Sequence, residues 1–238
     1  MQYDIERYIL LIQEIRKNGY DFSFFNSVSD YSVILRHDID ISPQLALQMA
    51  KTENDLGVKS TYFFMLRSPF YNVFSRANNE IIKAIISLGH RIGLHYDDGY
   101  FSKNEDLQNL INTETEIFKS NFNTNIDAVS FHQPSQHVID NKINIKQINT
   151  YDKIFFKDIK YLSDSNMNFK EDPFDIIKSK KFPKIQLLIH PVWWIIAGSE
   201  KTTEEKFISA MKINFALEQQ QVVGTERAYG KAKEINFE

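Results

Sequence analysis

Five short apolar runs in this chain each lead into histidine or aspartate, and that recurrence limits the folds open to it. Val33-Ile34-Leu35 leads into Arg36-His37-Asp38-Ile39-Asp40, and Arg91-Ile92-Gly93-Leu94 into His95-Tyr96-Asp97-Asp98. Val129-Ser130-Phe131 runs into His132-Gln133-Pro134, Tyr161-Leu162-Ser163 into Asp164, and Leu187-Leu188-Ile189 into His190-Pro191. Short apolar runs of this kind suit buried parallel strands. Helical periods lie between them. Ile5, Tyr8, Ile9, Ile12 and Ile15 open the chain with an amphipathic helix. Ser42 reads as an N-cap with Pro43 at the first helical position and Gly57 as the stop. Further helices are expected over about 79–88, between Leu107 and Phe118, and over about 203–220, with another strand over 61–65. Strands alternating with helices predict an α/β protein with a parallel sheet of six to eight strands. A single α/β barrel routinely occupies 238 residues. No repeat or linker divides the chain, so one domain over 1–238 is expected, although 141–158 carries no legible period.

Composition removes several classes of function. The net charge is −3 and the charges are dispersed, which excludes the concentrated positive field that nucleic acid or an anionic membrane requires. There is no cysteine, so thiolate nucleophiles, disulfides and thiolate-bound zinc are excluded; any metal must be held by histidine and carboxylate. The first 18 residues are charged and lack the apolar core of a signal peptide, and no stretch has the length of a membrane span. A cytoplasmic location is the expectation.

Four of the six histidines thus stand at the carboxyl ends of predicted strands. In a barrel of parallel strands those ends converge on one face, where active sites of this architecture lie. Asp38 and Asp40 are two apart on an extended segment and point the same way. They would repel unless a metal or a proton lay between them; the alternative is that both only cap the helix at Pro43. His90 is expected in a turn, His137 in a polar loop, and Asp97 and Asp98 as loop carboxylates. Histidine plus carboxylate without cysteine suits zinc or another first-row divalent ion with open positions. Such a site activates water, a nearby carboxylate takes its proton, and a histidine protonates a departing amine; amide hydrolysis needs that inventory. No phosphate loop, dinucleotide fingerprint or Gly-x-Ser-x-Gly elbow is present.

At these residues the chain resembles the polysaccharide deacetylase (NodB-homology) family, carbohydrate esterase family 4, and within it a branch associated with bacterial surface-polysaccharide biosynthesis. The likeness covers about 33–194, and its strongest pieces are 35–40, 89–96 and 188–194. It implies a distorted (β/α) barrel, with Asp38 as catalytic base, Asp40 and His95 as metal ligands, and His190 as general acid. Two departures stand out. The family's second metal histidine, four residues after the first, corresponds here to Gly99. The arginine that opens its third motif corresponds to His132. The expected rearrangement is that Arg36 takes over the pairing with Asp38 and His132 becomes the third ligand, with Asp97 and Asp98 as alternatives. Arg36 or His37 would hold Asp38 ionised. Asp164 falls near the fourth motif, where it would orient a partner, and Trp193 and Tyr96 are candidate substrate contacts.

The implied function is a hydrolase that uses one divalent ion, zinc before cobalt, manganese, nickel or iron. It would remove an acetyl or formyl group from the nitrogen of an amino sugar, free, nucleotide-linked or part of a glycan. The alternatives are a metal-independent amidohydrolase on the same barrel, motivated by Gly99, and an inactive sugar-binding or scaffold protein that keeps the cleft.

Overall fold

A computed structural model describes residues 1–100 and 106–231; the last residues of the expected domain lie outside the described residues. The strands are β1 (Asp21–Ser23), β2 (Ser32–Ile39), β3 (Thr61–Phe64), β4 (Arg91–Asp97), β5 (Val129–His132), β6 (Lys160–Ser163) and β7 (Lys184–Ile189). The helices are α1 (Ile5–Lys17), α2 (Pro43–Asp55), α3 (Arg76–Ser87), α4 (Leu107–Phe122), α5 (Gln136–Ile139), α6 (Lys153–Phe156), α7 (Pro173–Ser179), α8 (Pro191–Ile195), α9 (Thr203–Thr225) and α10 (Arg227–Lys231). All the strand pairings are parallel, in the order β5-β4-β3-β2-β7-β6, with β1 alongside β2. The sheet curls into a distorted (β/α) barrel that stays open between β5 and β6. Asn149 bridges to Val129 on the β5 side of that opening. No helix among the described residues is long and apolar enough to cross a membrane.

The local signals are the expected ones with shifted ends. Asp4, Ser75 and Asp106 cap α1, α3 and α4 with their side chains, and Thr202 and Glu205 form a reciprocal capping box on α9. Ser42 and Pro43 begin α2 as predicted, although the Ser42 hydroxyl makes no capping bond. The helix after β3 starts at Arg76 rather than 79 because Ser75 supplies its cap. Strand β2 runs on through Arg36, His37 and Asp38, so these residues belong to the strand and do not follow it.

That extension sorts side chains by the two-residue period of a strand. Val33, Leu35 and Ile39 join the large core between sheet and helices, whereas Ile34 joins a small inner cluster with Phe25, Phe63, Ala128 and Phe155. Gly93 lines this interior. A Cβ there would stand 2.3 Å from the Phe63 ring and 2.9 Å from the Ala128 carbonyl, so only glycine lets β3 and β4 close over the cluster.

On the outer face, His37 points towards α2 and meets Glu53, a wholly buried carboxylate. Glu53 accepts from Tyr8 Oη, from Ser60 Oγ at 2.6 Å and from Tyr62 Oη at 2.7 Å, with His37 Nε2 at 2.7 Å. His90, expected in an ordinary turn, is buried beside the same group. Its Nδ1 accepts from Ser60 N at 3.2 Å, and its Nε2 lies 3.1 Å from the Ala50 carbonyl. Burial alone would raise the Glu53 carboxyl, but His37, with His90 and Ser60, holds it down to about 2.

A carboxyl lowered on folding contributes stability above its unfolded value, near 4.5, that is lost as pH falls through the folded value. Chemical denaturation should therefore show a loss on the order of 3 kcal/mol from this group between about pH 4.5 and pH 2. Glu53→Gln should be less stable than the parent at neutral pH, and the gap should narrow across that window. A gap that stays constant with pH would show that the Glu53 charge does not stabilise the fold.

Candidate metal and catalytic centre

The inner face of β2 carries Arg36 and Asp38, and Asp40 follows one residue beyond the strand. Arg36 is wholly buried and grips Asp38 with two bonds, Nε to Oδ1 at 2.8 Å and a terminal nitrogen to Oδ2 at 2.7 Å. Burial pushes the Asp38 carboxyl up, but Arg36 outweighs it, aided by His95 and His190, and the group lies below the ordinary carboxylate range. Arg36 also reaches Gln186 of β7 at 3.3 Å and the Tyr151 hydroxyl at 3.4 Å. His37 does not take part, because the strand period turns it to the opposite face.

Asp40, His95 and His132 come together at the mouth of the barrel. Each offers one ligand atom, and the three atoms lie within 4.8 Å of one another. Asp40 Oδ1 is 3.1 Å from His95 Nε2 and 3.4 Å from His132 Nδ1. Ligand atoms about 2.0–2.1 Å from a tetrahedral zinc would stand about 3.3 Å apart. Asp40 Oδ1 is buried, and neither ring nitrogen meets it at a hydrogen-bonding angle. The spacing of the three atoms and their chemistry fit a divalent ion. Burial opposes the charge on Asp40, yet His132, His95 and His190 hold its carboxyl well below the ordinary range. Asp40 in turn raises His132, against the effect of burial.

The alternative ligands are engaged elsewhere. Asp97 Oδ1 accepts from Gly99 N at 3.1 Å, and Asp98 Oδ2 accepts from Ser135 N at 2.5 Å, which ties the loop after β4 to the loop after β5. His132 reaches the cluster from β5 because its register places it opposite Asp97 of β4.

The other half of the site hangs on β6 and β7. Asp164 is fully buried after β6; its Oδ1 lies 2.5 Å from His190 Nδ1, and both carboxylate oxygens accept from His190 N. Trp194 Nε1 donates to Asp164 Oδ2 at 2.7 Å. His190, extended before Pro191, therefore turns Nε2 towards the cleft, 3.8 Å from Asp40 Oδ2. Burial would lower this imidazole, but Asp164, with Asp40 and Asp38, raises it to about 9, so the ring carries its proton at neutral pH.

A cleft of about 650 Å³ opens over these groups. Asp38, Asp40, His95, His132 and His190 supply its polar part; Phe70, Leu188, Trp193, Phe207 and Met211 supply apolar wall. Trp193 thus sits where a substrate contact was expected. Tyr96 does not, which corrects its assignment as a substrate contact. It follows the inward His95, so it points outward, fully buried against Phe131. Three buried residues were missed: Ser130, Tyr151 and Gln186. Ser130 stood two before His132 on the same strand face, a signal the period contained; Tyr151 lay in the segment without a period.

No protein-family model and no curated protein matches the chain. Among solved structures its fold is similar to the carbohydrate esterase family 4 pseudoenzyme BA3943 of Bacillus anthracis, at 16% identity and a TM-score of 0.42, over 79% of this chain and 60% of that one. The chain thus spans about three fifths of that protein. It is similar to the chitin deacetylase of the fungal pathogen Colletotrichum lindemuthianum at 16% identity and a TM-score of 0.45, over 83% and 87% of the two chains. A family 4 carbohydrate esterase from Bacillus anthracis follows at 13% identity and 0.43, over 89% and 86%. At these identities and TM-scores the chemistry of the chain is read from its own residues.

Proposed function

We propose that this protein is a metal-dependent hydrolase that removes an N-acyl group, acetyl or formyl, from an amino sugar or sugar conjugate. One observation carries the reading: a carboxylate held ionised by arginine and an imidazole held protonated by aspartate share a cleft with a His₂Asp cluster. A bare binding site needs neither group. The sequence resemblance supports the sugar and, more distantly, a role in surface-polysaccharide biosynthesis in the cytoplasm.

A divalent ion on Asp40, His95 and His132, with zinc the preferred identity, supplies Lewis acidity towards an amide carbonyl and the attacking water. The chain's own groups do the rest. Asp38 accepts the proton of the attacking water, and Arg36 keeps it ionised for that purpose. His190 gives its Nε2 proton to the departing nitrogen, because an amine leaves poorly as an anion, while Asp164 fixes the ring through Nδ1. Trp193, against His190 with ring centroids 6.3 Å apart, walls in the acyl group.

Three outcomes are expected. Anomalous scattering from crystals soaked with Zn²⁺ should place one ion about 2.0–2.2 Å from ligand atoms of Asp40, His95 and His132. An ion held by Asp97 or Asp98, with His132 beyond about 4 Å, would remove His132 from the set. Asp38→Asn should retain the metal while turnover drops roughly 10²–10⁴-fold, and near-normal turnover would refute the base assignment. His190→Ala should nearly abolish amide cleavage yet spare much of the activity on an activated ester of the same acyl group, whose leaving group needs little protonation. Equal losses on both substrates would make His190 a structural or binding residue.

A further inference from the structure

Ser130 is fully buried on the inner face of β5, two residues before His132. Its Oγ lies 2.5 Å from His95 Nδ1 and 3.4 Å from Asp38 Oδ1. It is therefore hydrogen-bonded to both the candidate base and a candidate metal ligand. We infer that Ser130 is a positioning residue: it fixes His95 as the Nδ1–H tautomer and links that ring to Asp38.

The direction of the bonds follows from counting hydrogens. Arg36 can only donate, and it gives Nε to Oδ1 at 2.8 Å and a terminal nitrogen to Oδ2 at 2.7 Å, so both oxygens of Asp38 are acceptors. The single hydroxyl hydrogen of Ser130 goes to that carboxylate. Its oxygen is left as an acceptor facing Nδ1, so Nδ1 carries the hydrogen and the Nε2 lone pair is free. Nε2 is the atom 3.1 Å from Asp40 Oδ1. A bare Nε2 beside a carboxylate oxygen is a pair of donor atoms that one cation can take. The serine thus prepares Nε2 as a ligand before any ion arrives, and an outer partner of this kind orients a ligating ring and raises its basicity.

The inference rests on the metal reading of Asp40, His95 and His132, so its test has one arm that needs no metal. In metal-free protein, ¹⁵N chemical shifts of the neutral His95 ring should show Nδ1 protonated and Nε2 bare, and Ser130→Ala should lose that preference. Competition against a chromophoric chelator should show Zn²⁺ affinity reduced about 10–100-fold in Ser130→Ala. Ser130→Thr, which keeps the oxygen, should restore most of it. A wild-type ring protonated at Nε2, or Zn²⁺ affinity unchanged in Ser130→Ala, would overturn the assignment. If the wild type takes up no Zn²⁺, the metal reading falls, and the tautomer arm alone upholds or overturns the role of Ser130.

Discussion

Burying an arginine inside a barrel only a few side chains wide is the constraint from which the rest of this site follows. Arg36 has no access to water, and an unpaired guanidinium there would cost several kcal/mol. Asp38 answers it with two bonds, and the aromatic faces of Phe63 and Tyr151 lie 5.5 and 5.1 Å from its central carbon. Removing one partner of such a pair strands the other, typically at about 3–5 kcal/mol. The pair also recruits the chain that covers the open side of the barrel. Gln186 accepts from Arg36 and spends its own amide hydrogens on the carbonyls of Thr150 and Phe155. An ion pair that fixes the charge of Asp38 is in this way also what holds the 150–155 segment in place.

Strand β2 does two different jobs on its two faces. Inward it presents Arg36 and Asp38, with Asp40 just beyond; outward it presents His37 to Glu53. The outer network fastens α1 through Tyr8, α2 through Glu53 and β3 through Tyr62 to the middle of the strand that bears the chemistry. Glu53 has no route into the cleft, because the sheet itself stands between. Its contribution is rigidity: with His37 held from behind, Arg36 and Asp38 cannot rotate about the strand axis without breaking a buried, charge-assisted set of bonds.

Most of this site could be read from the sequence, for one physical reason. A parallel strand needs an apolar run, the run ends where the strand leaves the core, and the residues at that end share a face with every other such end. His95, His132, Asp164 and His190 are legible on that basis; the structure brings the three histidines to one cleft with Asp38 and Asp40, and Asp164 lies buried behind His190. The strand period, applied strictly, would also have placed Tyr96 and His37 on the outer face and added Ser130 to the inner one. The apolar run predicts Arg36 and Asp38 beyond the strand, but the pair is satisfied inside the barrel, and that allows the extended backbone to continue to Ile39. Tyr151 and Gln186 belong to another category. Their places depend on how the chain between β5 and β6 covers the gap, and no local period encodes a contact made across the interior.

The open barrel divides the candidate chemistry into halves that meet at one residue. His95 and His132 stand on β4 and β5; His190 and Asp164 stand on the far side, after β7 and β6. Among the described residues no hydrogen-bonded strand pair joins β5 to β6, so within the sheet these halves are connected through β3, β2 and β7. Asp40, at the end of β2, lies 3.1 and 3.4 Å from the two imidazoles of one half and 3.8 Å from the imidazole of the other. Its two oxygens divide the work, Oδ1 towards the ligand cluster and Oδ2 towards His190. A change in the position of β2 would therefore alter the ligand geometry and the acid's distance together, whereas a shift of β5 would alter only the first. The buried pairs on both faces of β2, Arg36 with Asp38 and His37 with Glu53, lie within a turn of chain from Asp40. Two buried charged pairs thus stand on the one strand where an error would spoil both halves.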